Sequence, residues 1–548
     1  MTQDLLDRLR GDDIAGWFGP LAKPGDASLL EEWQRSGTSF VSSSERLTER
    51  YRQAVRELLD CIAPTAEAGT ILHEGGIYHG CWLESTGTIN AEILSRFLPS
   101  VSTATYSAFA QYQREDGLFP YKITPSGPGF NQIQLVTPLA RSVWNHFRLN
   151  GLDRDWLDRM ASAMARYDRW IASNRDTRET GAVEAFCTYD TGHDLSSRFW
   201  HVPDSPFGND PSRYDPDNPL LPYIAPDLTA NIACQRDYLG LMEDLLGRDG
   251  TPWRERAEAS RAALVTQCFD AADSFFYDRD RHERLVRVQS DVLLRVMACE
   301  IGDGALFRTV LERYLLNTRK FFAKFPLTSI ALDDPRFDPN FAQNSWAGPS
   351  NFLSLIRTPH AFEHHGHYVE LSWIMQPVLA ALFDADRFPQ TLNPFTGAPG
   401  FTDKYSPSIL CLLDFIERLS GILPCPDSEI WFTGLLPKPV LHRYERQETA
   451  YARQIHGVRF ELLNLADHSE IYRDGQLLCR FPSGLRLVLD AAGELAAVVG
   501  MTSRTISGTV EWLGQRIDVS VAANQRFVFG PAGSKLQSDP GLVLPTHQ

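Results

Sequence analysis

The stretch Asp190-Thr191-Gly192-His193-Asp194-Leu195-Ser196-Ser197-Arg198-Phe199-Trp200 sets two carboxylates four residues apart around a glycine. Two hydroxyls, an arginine and two aromatic rings follow. Unpaired charges are costly to bury, so a core does not need this mixture. A site that binds and protonates a polyhydroxylated substrate does need it. Sugars take aromatic faces, hydrogen-bonding groups and a carboxylic acid held in its proton-donating form. On that reading Asp194 projects into a cleft as general acid. Arg198 holds substrate or a carboxylate, and Asp190, His193 and Trp200 complete the binding surface. The same residues also suit a loop held by Asp–Arg pairs and Asx-turns, since Arg175, Arg178 and Glu184 lie just upstream.

Other stretches offer polar and aromatic groups. Tyr112 to Lys122 runs through Gln113, Asp116-Gly117 and Tyr121, and Gln132 and Gln134 come next. These would form a cleft wall, with Gln113, Tyr121 and Gln134 facing substrate, or simply a helix C-cap at Gly117 and a packed loop. Gln343-Asn344-Ser345-Trp346 places an indole among amides, which suits sugar stacking or a buried turn. His360-Ala361-Phe362-Glu363-His364-His365-Gly366-His367 has spacings open to a transition metal. No cysteine or H-E-x-x-H pattern completes a ligand set there, so neither metal nor cofactor is expected. Glu363 could still reach a catalytic site. Asp333-Asp334 looks like a Mg²⁺-binding acidic pair, but Pro335 breaks the helix face it would need.

Periodicity predicts the elements that position these groups. Apolar residues recur at helical spacing near 44–62, 90–113, 134–149, 154–173, 227–247, 251–269, 287–301, 304–318, 361–383 and 406–420, with a weaker segment around 351–357. Loops rich in Gly, Pro and Asp separate them. Helices in series with few strands between them form an all-α layer architecture, and long elaborated loops suggest a closed ring of inner and outer helices. After about residue 445 the pattern alternates with period two, as in Leu485-Arg486-Leu487-Val488-Leu489, with glycines at the turns. The expected division is a lead-in over 1–43, a helical catalytic domain over 44–444, and a small antiparallel β domain with an irregular tail over 445–548.

The chain has 548 residues and a net charge of −16, which argues against a nucleic-acid surface. No apolar run is long enough to span a membrane, and the first eleven residues lack a signal-peptide core, so a cytoplasmic location is expected. Nine scattered cysteines are read as buried free thiols.

Four islands resemble helical-barrel glycosidases of the trehalase, processing α-glucosidase and mannosylglycerate hydrolase type (glycoside hydrolase families 37 and 63). Asp190-Thr191-Gly192-His193-Asp194-Leu195-Ser196-Ser197-Arg198 is similar to their general-acid loop, Glu-Ser-Gly-x-Asp followed by Phe-Ser-Ser-Arg. Gln113 to Pro120, Trp346-Ala347-Gly348-Pro349 and Asn393-Pro394-Phe395-Thr396-Gly397 resemble three further motifs. The resemblance implies an (α/α)6 toroid with a C-terminal β domain. It implies an inverting glycosidase acting on a small α-linked glycoside, with Asp194 as acid and Trp346 against the sugar. The family places its general base just ahead of the Asn-Pro element, where this chain has Gln390, and a glutamine cannot accept a proton from water. Glu363 or Glu84 would then supply the base, with Gln390 binding substrate. A sugar lyase or epimerase on the same toroid, using Tyr189 or a histidine, and a non-hydrolytic sugar-binding protein remain as alternatives.

Overall fold

The computed structural model describes residues 2–18, 25–65, 67–340, 346–438, 447–530 and 533–548. Two sets of helices alternate along its helical part, labelled outer and inner. The outer ones include Glu45–Asp60, Pro99–Gln111, Arg154–Asn174, Thr251–Cys268, Gly304–Val310 and Tyr368–Asp384. The inner ones include Ala91–Leu94, Leu139–Asn150, Pro226–Leu245, Val292–Met297, Phe352–Leu355 with Thr358–His364, and Ser406–Ser420.

The sequence explains both kinds. In Glu45–Asp60 the buried residues Leu47, Tyr51, Ala54, Val55, Leu58 and Leu59 fall three or four apart, so one face is apolar and the other is charged. Ser406–Ser420 is buried almost all round, as a central helix must be. Asp153 caps Arg154–Asn174 by accepting from the Trp156 amide at 2.6 Å.

Two predicted helices are broken. Pro99 starts a new helix and splits the 90–113 segment, because its ring fits only the first turn. His365-Gly366 separates Thr358–His364 from Tyr368–Asp384, with Gly366 at φ +75° ending the first.

The inner helices contact one another in sequence. Ala91–Leu94 packs on Leu139–Asn150, which packs on Pro226–Leu245, and that on Val292–Met297. Val292–Met297 meets Thr358–His364, Phe352–Leu355 meets Ser406–Ser420, and this last helix packs back on the turn at Thr86–Asn90. Inner helices run into the next outer helix through short turns, as from Asn150 to Arg154. Outer helices lead to inner ones through long loops, as from Asn174 to Pro226. Small sheets stitch these loops together. One joins Cys81–Trp82, Lys122–Thr124 and Gly127–Gly129; another joins Glu184–Ala185, Tyr223–Ile224, Asp278–Arg279 and Leu285–Val286.

Two antiparallel sheets of seven and six strands complete the molecule. They share a core in which Leu462, Ile471 and Phe481 of one meet Leu487, Leu489 and Val498 of the other. The sheets begin earlier than residue 445, with Ile422–Pro424 and Ile430–Thr433. Ser39–Ser42, read as lead-in, is the edge strand paired to Thr449–Ile455. The tail is not irregular from Gly530, because Gly533–Ser538 is a strand and the Val543 amide donates to Glu370 Oε1 at 2.7 Å. These segments were hard to read because they are short and gain their pairing only from distant chain.

Candidate active site

The Asp190–Trp200 loop follows the outer helix Arg154–Asn174 and precedes the inner helix Pro226–Leu245. Asp190 is fully buried and anchors it. Its carboxylate pairs with Arg175 and accepts from the amides of Ile133 at 3.1 Å and Phe186 at 2.8 Å. This corrects the expectation that Asp190 binds substrate, since its oxygens are spent on the loop.

Arg198 is equally committed. Its guanidinium donates to Asp278 Oδ1 at 2.7 Å and Oδ2 at 2.8 Å, and to both oxygens of Asp227 at 3.0 Å. The Arg198 Nη1 also lies 2.6 Å from His193 Nδ1. A substrate-side arginine is therefore replaced by a buried tie between the loop, the start of an inner helix and a strand. The guanidinium nevertheless pulls Asp227 far below the usual carboxylate range, although burial alone would raise it.

His193 is buried against Trp346 with ring centroids 4.6 Å apart, and its Nε2 is 3.1 Å from Asp291 Oδ1. Burial and then the Arg295 charge push it down to about 3, so the imidazole is neutral. Trp346 has the Arg295 guanidinium 4.6 Å from its ring and is itself wholly buried, so it shows no open face for a sugar. Gln343, Asn344 and Ser345, read beside it, lie outside the described residues.

Between these locked groups stands Asp194, which is half-buried. It follows Gly192 (φ +65°) and precedes Leu195 (φ +58°), so the backbone turns sharply on both sides. Gly192 is required for a second reason. A Cβ there would occupy the position of the Glu84 carboxylate. Glu84 thus reaches the acid loop directly. Burial raises its pKa, the Arg295 and Arg357 charges oppose this, and Asp227 and Asp291 add to it. Its Oε1 has no hydrogen-bond partner among the described residues.

A second wall comes from residues 74–86 and 388–405. The Tyr78 hydroxyl donates to Gln390 Oε1 at 3.0 Å, and the Tyr78 ring lies 5.7 Å from Trp82 and 6.0 Å from Tyr405. Tyr405 donates to Glu74 Oε1 at 2.6 Å, while Ser85 and Thr86 donate to Oε2 at 2.7 and 3.2 Å. Burial pushes Glu74 up to about 7 against the pull of these donors. The Tyr78 phenol is raised by burial and then by the charges of Glu74, Asp194 and Glu84. Asp194 also raises Tyr189, after burial.

The remaining predicted residues divide. Tyr121 is buried beside this wall, where its carbonyl accepts from the Leu83 amide at 2.8 Å. Gln134 is buried in a left-handed conformation, with an oxygen that no group among the described residues satisfies. Trp200 is exposed on the outside of the loop, with Arg336 5.7 Å from its ring. Gln113 is a fastener, donating to the Gly117 and Ala163 carbonyls at 2.8 Å each and accepting from Arg166, which corrects its reading as a cleft residue.

Glu363 is also corrected. It sits at the C-terminal end of an inner helix, paired with Arg418, beside a cavity of about 550 Å³ that Trp144, His360, His364 and Trp431 help to line. The acid loop precedes the N-terminus of an inner helix. Glu363 thus lies at the opposite end of the inner helices from the acid loop, with its carboxylate held by Arg418.

His360, His364 and Glu300 do lie within ligand reach of one another. Glu300 Oε1 is 2.8 Å from His360 Nε2, accepts from the Tyr238 hydroxyl at 2.9 Å and lies 3.7 Å from Arg141. The fixed cation already balances that carboxylate and opposes a second one.

Sequence reasoning passed over Glu74, Tyr78, Tyr405, Asp291, Arg295 and Arg357. The carboxyl at Glu74, beside the Gly75-Gly76 turn, was the available signal for the first two. The others are a helix residue, Arg295, and residues at helix starts, which carry no signal until distant segments bring them together.

A family model for the mannosylglycerate hydrolase MGH1-like glycoside hydrolase domain matches residues 94–408. The match spans more than half of the chain, which therefore belongs to this family of glycoside hydrolases. It is a glycosidase, an enzyme acting on a carbohydrate substrate.

Among solved structures, the GH63 mannosylglycerate hydrolase from Thermus thermophilus aligns with TM-score 0.56 and 17% identity, over 66% of this chain and 98% of that one. A sialidase aligns with TM-score 0.58 and 16% identity, over 89% and 44%. The GH78 family rhamnosidase of Bacillus sp. GL1 aligns with TM-score 0.53 and 10% identity, over 78% and 40%. At these identities the likeness is one of fold. No curated protein matches. No helix among the described residues is long and apolar enough to cross a membrane.

Proposed function

We propose that the chain hydrolyses a small α-linked glycoside with inversion, and that Asp194 gives its proton to the departing oxygen. The observation carrying this is the loop around Asp194. Asp190 and Arg198 are buried in ion pairs that fix both ends, while Asp194 is the half-buried acid between them. Preorganised acids of this kind need rigid support.

The circuit of inner-helix contacts supports a closed (α/α)6 toroid, with the long loops gathered at the end that holds Asp194. The catalytic part is the helical region near 44–420, and the sheets form the second domain. Glu84 binds substrate beside the acid through the oxygen that has no partner among the described residues. Asn231 and Gln235, on an inner helix, and Gln132 and Gln134 also hold amide atoms without partners among the described residues, which suits a polar ligand along the ring. The eight cysteines other than Cys61 are free thiols, which supports a reducing, cytoplasmic setting.

The name of the Thermus relative makes a mannosyl glycerate the first compound to try. The test is a panel of that compound with α-glucosides, α-mannosides and α-rhamnosides, followed by NMR of the anomer released. Asp194→Asn should keep the fold and fall below about 10⁻² of wild-type turnover. Unchanged turnover rejects Asp194 as donor.

A further inference from the structure

Inverting hydrolysis needs a carboxylate on the face of the sugar opposite the acid, to take a proton from the attacking water. The candidates narrow on geometry. Glu363 is at the far end of the inner helices. The Gln390 amide has no basic site, and its oxygen accepts from Tyr78. Glu84 lies against Gly192, two residues from the acid, and the Arg295 and Arg357 charges beside it oppose its protonation.

We propose that Glu74 is the proton acceptor, serving the reaction from the wall where Gln390 stands. This rests on the inverting reading above. Glu74 and Tyr78 share one turn of chain, and Tyr78 bonds Gln390 while packing near Tyr405, the donor to Glu74. Glu74 is only 4% exposed, yet it makes no ion pair among the described residues. Three buried carboxylates with structural roles do have one: Asp190 with Arg175, Asp168 with Arg236, and Asp227 with Arg198. A buried carboxyl held only by neutral hydroxyls is costly unless its protonation is used. It accepts three hydrogen bonds of the roughly four an ionised carboxylate can take, which leaves a site for water. Its titration near 7 suits a base at neutral pH.

The step balances. Water oxygen bonds the anomeric carbon as the glycosidic bond breaks. The bonding pair leaves on the glycosidic oxygen, which takes the Asp194 proton, and the water proton passes to Glu74. Both carboxyls re-equilibrate with solvent after product leaves.

The test uses whichever panel glycoside the full-length enzyme hydrolyses. Glu74→Gln should lower kcat by 10²–10⁴ with KM little changed, and abolish the acid-side limb of the pH–rate profile near pH 7. Gln390→Glu in that background should restore part of the turnover. Tyr405→Phe removes a hydrogen bond to the ionised form and should move the limb to higher pH, a readout that stands even if Glu74→Gln misfolds. A Glu74→Gln enzyme with wild-type kcat, or a limb that Tyr405→Phe leaves in place, overturns the assignment. Wild-type Glu74 dependence with Asp194→Asn unaffected would overturn the donor assignment instead. No turnover of any panel member sinks the small-glycoside reading and this one with it.

Discussion

At the scale of single residues, Gly192 joins the acid to a second carboxylate. Its positive φ disfavours any side chain, and a methyl would collide with the Glu84 carboxylate. Gly192→Ala should therefore displace Glu84 and twist the turn carrying Asp194. We expect turnover to fall at least tenfold while circular dichroism stays native, and wild-type kinetics would show that the contact is dispensable. The residue types around Asp194 were legible because charge, hydroxyl and aromatic groups crowd one short segment. Their roles were not. Arg198 and Asp190 carry the same chemistry whether they face substrate or each other, and the choice depends on Arg175, Asp227 and Asp278, which arrive from other elements.

At the scale of elements, Arg198 links three of them: its own loop, the Pro226–Leu245 helix through Asp227, and the Asp278–Arg279 strand. Arg198→Ala leaves two carboxylates buried without their cation, a loss of about 3–5 kcal/mol. The expected outcome is a lower thermal midpoint together with lost turnover. Arg198→Lys should recover little of either, because an ammonium cannot bridge both carboxylates with paired hydrogen bonds. A wild-type midpoint for Arg198→Ala would show that the tie carries no weight. Most helices were legible from apolar spacing, down to Arg154–Asn174 and its Asp153 cap. The two-residue strands that stitch the loops were not, since so short a run has no periodicity to read.

At the scale of the whole molecule, burial sets the response to acid. His146 and His193 are both pushed down to about 3, His146 by burial and His193 chiefly so. Below about pH 6.5 the unfolded chain binds two protons that the folded one refuses. Their contribution is complete above that pH and is lost toward pH 3, at about 1.4 kcal/mol per pH unit for each group. Glu74, raised to about 7, works in the opposite sense. Between its unfolded value and 7 it keeps a proton in the fold, so its contribution improves as pH falls. His364 and His365 are lowered by burial as well, so four imidazoles stand against Glu74 and the raised carboxyls Glu84, Asp278 and Asp427, and the urea midpoint should drop between pH 6.5 and 4.5. A midpoint that holds steady or rises over that window contradicts the burial of these imidazoles as neutral groups.

Local pattern alone determined the helices, the late change to period-two segments and the loop that carries Asp194, because each is written in neighbouring residues. Tertiary structure decided which charges are spent on one another, that Glu363 stands at the opposite end of the inner helices from the acid loop, and that Glu74 and Gln390 share a wall. Those outcomes depend on where distant segments meet, and a buried charge takes its role from the partner that folding brings to it.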